Sequence, residues 1–247
     1  MNSPEKAYFV SDTHFGAPPD SRRREEDFVR WLDIVKNDGT KLFLLGDIFD
    51  FWFSYKHVVP RGFVRVLGKL AELADSGVEI HFFTGNHDMW VFDYFEKELG
   101  IKVHTTPQEF QIAGKEFFMG HGDGLTSMNK SYLALKRVFA SRLCQRMFAA
   151  LHPWVGFGIA KKWSLSSRKN GKKNLKKYYR PSEVPIFCKA KLKEQHYDFF
   201  VFGHRHRIEN EKIGENSQYF VIGDWIESRN YAVYSNGLFE VHNFTSE

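Results

Sequence analysis

Apolar residues in this chain fall into short runs that end on similar punctuation. "KAYFVSDTH", "KLFLLGDIFD", "VEIHFFTGNHD", "GKEFFMGHGD" and "YDFFVFGHRH" each begin with consecutive apolar positions and finish in a polar cluster. Runs this short, apolar at successive positions, read as strands buried on both faces. Helical spacing separates the early ones, over roughly 22 to 36 and 61 to 76. Later, "SQYFVIGDW" reads as another strand, and "YAVYSNGLFEV" as two strands joined by an Asn236-Gly237 hairpin turn. Strands alternating with helices predict an α/β fold with βαβ units. So many strands are best accommodated by a β-sandwich of two mixed sheets packed face to face, flanked by helices.

This rhythm fails between about 125 and 195. "YLALKRVFASRLCQRMFAALH" has helical periodicity, Pro153 follows, and then comes a Lys-rich stretch read as helix, loop and helix. The expected organisation is a core in two parts, 1–124 and 196–247, with 125–195 inserted as a helical lid between the fourth and fifth core strands.

Composition sharpens that division. The formal charge of +5 is unevenly spread: between Asp123 and Glu183 there is no acidic residue, while residues 124 to 182 hold 14 Lys or Arg. The chain is thus an acidic body with a basic insert, which also carries aromatics such as Tyr132, Phe139, Phe148, Trp154 and Trp163. A hydrophobic content of 43% suits a globular core. No apolar stretch is long enough to span a bilayer, and the N-terminus lacks the basic start and apolar core of a secretory signal. With only Cys144 and Cys188 present, a disulfide scaffold is not expected and a reducing cytoplasm is the natural setting.

Candidate chemistry lies where the apolar runs stop. In order, the clusters are Asp12-x-His14, Gly46-Asp47, Gly85-Asn86-His87-Asp88, Gly120-His121 and Gly203-His204-x-His206. Ligands of open α/β sheets gather outside the carboxyl ends of strands. Carboxylate, imidazole and amide donors without thiolate suit a pair of divalent transition metals. One such cluster is commonplace, but five at successive strand ends converge on a metal site. His57, His81, His104, His152, His196 and His242 belong to no cluster and read as packing or surface residues.

The series D-x-H, G-D-x-x-D, G-N-H-D, G-H and G-H-x-H resembles the calcineurin-like metallophosphoesterases over the whole core. With the helical insert and the runs "SDTHFGAP", "LGDIFDFW", "TGNHDMW" and "MGHGDGL", the chain resembles the UDP-2,3-diacylglucosamine diphosphatases of lipid A biosynthesis. The resemblance implies that Asp12, His14 and His206 hold one metal, Asp47 bridges to the second, and Asn86, His121 and His204 complete it. It implies two divalent ions, Mn²⁺ first, and His87 as the catalyst that is not a ligand, oriented by Asp88. His87 stands where many of these diphosphatases carry Arg, which leaves a broader phosphoesterase specificity open. Asp50 and Asp123 could support metal-bound imidazoles, and Asp224 reads as a cap or surface residue.

For the substrate, the resemblance places Asn86, His87, Asn129, Tyr132, Ser166, Asn170, Lys173 and His204 at the nucleotide-lipid, with Asn129 standing where Asp is usual. The amphipathic stretch around Leu133, Leu135, Val138, Phe139, Leu143 and Phe148 could line an acyl chamber or simply pack on the core. The basic, aromatic-rich insert suits a peripheral position on the anionic cytoplasmic face of the inner membrane. Neither nucleic acid nor an obligate protein partner is expected. Two rival readings remain: a metallophosphoesterase acting on another nucleotide or phosphodiester, and a binding scaffold without catalysis, for which a full ligand set would be superfluous.

Overall fold

The computed structural model of the protein describes residues 5–126, 130–177 and 182–245, with side chains for all of these except 167–177. In chain order the strands are β1 (Ala7–Val10), β2 (Lys41–Leu45), β3 (Glu79–Phe83), β4 (Lys102–His104), β5 (Gln108–Ile112), β6 (Lys115–Gly120), β7 (Phe199–Phe202), β8 (Ile208–Ile213), β9 (Ser217–Ile222), β10 (Asn230–Ser235) and β11 (Leu238–Asn243). The helices are α1 (Ser21–Asp38), α2 (Val64–Asp75), α3 (Tyr94–Leu99), α4 (Lys130–Ala140), α5 (Arg142–Ala149), α6 (Pro153–Lys177) and α7 (Val184–Lys191).

The strands form two mixed sheets, ordered β11-β10-β1-β2-β3-β4 and β5-β6-β7-β9-β8. β1 to β4 run parallel in the first sheet, as do β6, β7 and β9 in the second, and antiparallel strands close every edge except that of β4. Because side chains alternate across a strand, each inner parallel strand feeds two apolar layers. Leu42 and Leu44 of β2 pack outward with Phe28, Trp31 and Leu70 of the helices. Phe43 and Leu45 pack inward with Phe9, Phe83, Phe117, Val201 and Phe220, filling the space between the sheets. Phe9 lies on Phe43 at 5.0 Å between ring centroids, and Phe220 on Phe239 at 4.3 Å, so the many phenylalanines form the central layer. Burial on both faces explains why these strands read as unbroken apolar runs.

α7, within the 125–195 segment, buries Val184 and Cys188 against Phe118, Phe200 and Tyr219 on the outer face of the second sheet. The long amphipathic stretch before Pro153 is two helices. Ser141 adopts an extended backbone and its hydroxyl accepts from the Cys144 N–H, capping α5. The Asn236-Gly237 turn forms as expected, with φ of 53° and 82°, the pairing that joins strands of right-handed twist. β4, β5, β8 and α3 had no such clear signal: β4 has three residues, and β5 and β8 are edge strands of largely polar sequence.

Candidate metal centre

The carboxyl ends of β1, β2 and β3 deliver Asp12 and His14, Asp47, and Asn86. Those of β6 and β7 deliver His121, His204 and His206 from the second sheet. The two sets meet. Nε2 of His206 is 3.3 Å from Oδ1 of Asp12, and Nε2 of His14 is 3.8 Å from that same oxygen. Oδ2 of Asp47 lies 3.6 Å from Nε2 of His14 and 3.4 Å from Nε2 of His121. Asp12, His14 and His206 thus form one metal-capable group, Asp47, His121 and His204 another, and the Asp47 carboxylate touches both.

This convergence strains the backbone. Asp12, His14, Asp47, His204 and His206 all have φ between 43° and 68°, where a Cβ crowds its own carbonyl. Such left-handed residues concentrate at functional sites and persist only where their surroundings enforce them. Tight hydrogen bonds do so here: Asp12 N–H donates to the Gly46 carbonyl, His14 N–H to that of Asp47, and His204 N–H to Oδ2 of Asp12 at 2.7 Å. Two glycines allow the close approach. A Cβ on Gly85 would overlap Asp47, and one on Gly203 would overlap Ser11 and Asp12.

The arrangement fits divalent ions by a test independent of motif. Buried polar atoms nearly always have partners, yet Oδ1 of Asp12, Nε2 of His14, Oδ1 of Asn86 and Nε2 of His121 are buried with no hydrogen-bond partner among the described residues. They are four of the atoms through which the expected ligands would bind. Nδ1 of His121 lies 2.8 Å from the Leu45 carbonyl, which can only accept. That nitrogen therefore carries the hydrogen, and Nε2 keeps its lone pair for a cation.

Electrostatics shows how tightly the groups are coupled. Burial opposes charge on Asp12, but the His206 and His14 imidazoles hold its carboxyl down to about 2. Burial also opposes charge on His14, but Asp12, Asp50 and Asp47 raise it to about 9. His204 is pushed down to about 4 by burial and by the neighbouring His121. Burial and the Asp47 charge push Asp88 up to about 7.

His87 borders the cage: its ring meets that of His14 edge-on at 4.8 Å between centroids. Asp88 is not beside it. Its carboxylate accepts from the N–H groups of Gly85 (2.7 Å), Ile48 (2.8 Å), Asp47 and Phe49, tying together the turns after β2 and β3. The expected orientation of His87 by Asp88 is therefore corrected to Asp50, whose backbone carbonyl lies 2.9 Å from His87 Nδ1 and whose carboxylate lies 3.6 Å away. Adjacent residues point to opposite sides of a short turn, so adjacency in sequence misassigned the partner. Asp50 is also 3.5 Å from Nδ1 of His14, the supporting position expected of it. Asp123 accepts from Tyr132 and Lys136 and lies in the field of His121 and His204. Asp224 caps a turn, accepting from the Glu227 N–H at 2.8 Å.

A cavity of about 300 Å³ opens beside the cage. Its polar lining is Asp50, Asn86, His87, Tyr132, Lys136 and Ser164, and its apolar lining comes from Phe51 and Trp90 of the core with Leu135, Phe139, Phe148 and Trp163 of the insert helices. Of the expected substrate contacts, Asn86, His87 and Tyr132 line it. Ser166 is exposed on α6, Asn129 lies outside the described residues, and the side chains of Asn170 and Lys173 lie outside the described ones. Leu143 and Val138, 70% and 55% exposed, face solvent rather than an acyl chamber. Sequence reasoning missed Ser164, a buried residue of α6 whose hydroxyl donates to the Asp50 carboxylate at 2.8 Å. It lies in a Ser-rich, Lys-rich stretch where nothing marks one hydroxyl as buried.

The sequence pattern of the calcineurin-like phosphoesterases matches residues 6–208. A UDP-2,3-diacylglucosamine hydrolase of Porphyromonas gingivalis is 39% identical, covering 93% of this chain and 94% of that protein. One of the same description from Haemophilus influenzae is 28% identical, covering 92% of each. Among solved structures, a novel archaeal phosphodiesterase superposes with a TM-score of 0.51 at 12% identity, covering 96% of this chain and 99% of that one, which shows a shared fold.

Proposed function

The chain belongs to the calcineurin-like phosphoesterases, and from that premise we propose that it hydrolyses the pyrophosphate of UDP-2,3-diacylglucosamine, releasing UMP and 2,3-diacylglucosamine 1-phosphate, a step of lipid A biosynthesis. The observation that carries the reading is the cavity, whose lining joins Asn86 and His87, at the edge of the metal-capable groups, to an apolar wall. A substrate joining a diphosphate to acyl chains needs both. Nucleotides and simple phosphodiesters need only the first.

Asp12, His14 and His206 would hold one divalent ion and Asn86, His121 and His204 the other, with Asp47 shared; we take the ions to be Mn²⁺. Bound there, such ions offset the negative charge of the phosphoryl oxygens and lower the pKa of a water. The protein supplies the rest. Asp47 anchors both halves of the cage, and the Leu45 carbonyl holds His121 in its binding tautomer. With Nδ1–H donating to the Asp50 carbonyl, His87 turns Nε2 to the oxygen of the departing phosphate; acting as the imidazolium it would donate from Nε2 to the developing charge, a contribution of about 10²–10⁴-fold. Asn86, His87, Tyr132 and His204 would contact the substrate, joined by Asn129, Ser166, Asn170 and Lys173.

We place the protein on the cytoplasmic face of the inner membrane as a peripheral protein, with the 125–195 segment acting as a lid. No described helix is long and apolar enough to cross a membrane. Leu143 and Met147 are 70% and 65% exposed next to the cations Arg142 and Arg146 on α5, and Trp154 on α6 is 81% exposed, surfaces suited to an anionic bilayer. The deciding experiment follows UMP release from UDP-2,3-diacylglucosamine after chelation and readdition of Mn²⁺. Restored release supports the reading. Turnover of simple phosphodiesters without UMP release from the lipid would leave a phosphoesterase of other specificity.

A further inference from the structure

Lys136 belongs to no motif, yet among the described residues it is the one Lys or Arg that lines the cavity. Its neighbours on α4, Leu135 and Phe139, continue the apolar wall. An ammonium in such a wall loses hydration and is stable only if charge or hydrogen bonds replace it. Asp123 does so in part. This carboxylate, only 8% exposed, accepts from Lys136 Nζ at 2.6 Å and from the Tyr132 hydroxyl one turn earlier on the same helix. The ammonium is thus held at a set position, with one of its three donors committed to Asp123. The side chain remains 35% exposed, and among the described residues Asp123 is its hydrogen-bond partner. Asp123 in turn lies in the field of His121 and His204, which sets Lys136 one carboxylate away from the cage.

We propose that Lys136 is a substrate-binding residue that takes an anionic phosphate oxygen of an amphiphilic ligand, at the boundary between the cage and the apolar chamber. A cation there holds the phosphate end while the tail enters the chamber, so it selects phosphates that carry an apolar group. As a contact to the acylated sugar phosphate this rests on the activity proposed above, but as a site for an alkyl phosphate it stands without it.

The test compares the full-length protein with Lys136→Met and Lys136→Arg in two measurements. Calorimetric titration with dodecyl phosphate should show a Kd raised about tenfold or more in K136M and largely restored in K136R, because arginine keeps the charge. KM for UDP-2,3-diacylglucosamine should rise by a similar factor in K136M, with kcat changed much less. Unchanged dodecyl phosphate affinity in K136M, or a K136R no better than K136M, would overturn the proposal. If the wild-type protein releases no UMP yet binds dodecyl phosphate in a Lys136-dependent way, the activity falls and this site stands. Should K136M not fold, Lys136→Gln, which keeps a donor without the charge, is read in the same way.

Discussion

Oδ2 of Asp47 lies 3.4 Å from Nε2 of His121, a contact that joins the end of β2 in one sheet to the end of β6 in the other. The same oxygen is 3.6 Å from Nε2 of His14, so one carboxylate spans both halves of the cage. Its other oxygen accepts from the His87 N–H at 2.8 Å, which fixes its orientation.

From this, Asp47→Ala should empty both metal positions rather than one. Metal analysis is expected to fall from about two ions per chain to fewer than one, and hydrolysis by about three orders of magnitude or more. Unchanged metal content together with unchanged rate would remove the cage and everything built on it.

Ser164→Ala takes a donor from the Asp50 carboxylate and loosens α6 where it meets the site. The expected cost is about 1–3 kcal/mol, seen as a melting temperature lower by several degrees. KM for the diacylated substrate should rise while bound metal stays constant, because Ser164 ties down the chamber wall and ligates nothing. S164T, which keeps the hydroxyl, should recover most of the loss.

His81 yields a pH prediction away from the cage. It is 3% exposed, stacks on Phe43 at 4.9 Å, and contacts His104 at 2.9 Å between ring nitrogens. Burial pushes it down to about 4 from an ordinary value of 6.5. Below pH 6.5 the unfolded chain takes up a proton that the folded ring resists. Its contribution is therefore intact above pH 6.5 and is lost as pH falls toward 4, at up to about 1.4 kcal/mol per unit. Urea unfolding at pH 7 and pH 5 should show a loss in the wild type that His81→Phe reduces by about 2 kcal/mol. A stability gap between the two proteins that does not change with pH would refute the assignment.

For the membrane surface, Leu143→Glu combined with Trp154→Ala should weaken sedimentation with phosphatidylglycerol vesicles by about tenfold. Raising salt should weaken the wild type as well, since the arginines act through screened charge. Equal binding of both proteins would place the docking surface elsewhere.

The core was legible because burial on both faces leaves a plain trace: "KLFLL" and "DFFVF" can be little else than inner parallel strands. The cage was legible because five of the inner strands, β1, β2, β3, β6 and β7, end in residues of metal-binding chemistry, from Asp12-x-His14 to His204-x-His206. Edge elements such as β4 and β5 left weaker traces, since a strand with one free side needs no continuous apolar run.

The sequence alone determined the layered α/β class, the two-sheet arrangement, the set of candidate ligands and the basic character of the insert, because these rest on which residue types occur and in what order. Only the tertiary structure decided that Asp50 rather than Asp88 attends His87, that Ser164 reaches the site from α6, and that Lys136 stands in the cavity wall. Such pairings join residues up to 114 positions apart. They depend on which way a side chain leaves a turn or a helix, and a linear order of residues carries no such direction until the sheets and helices have packed.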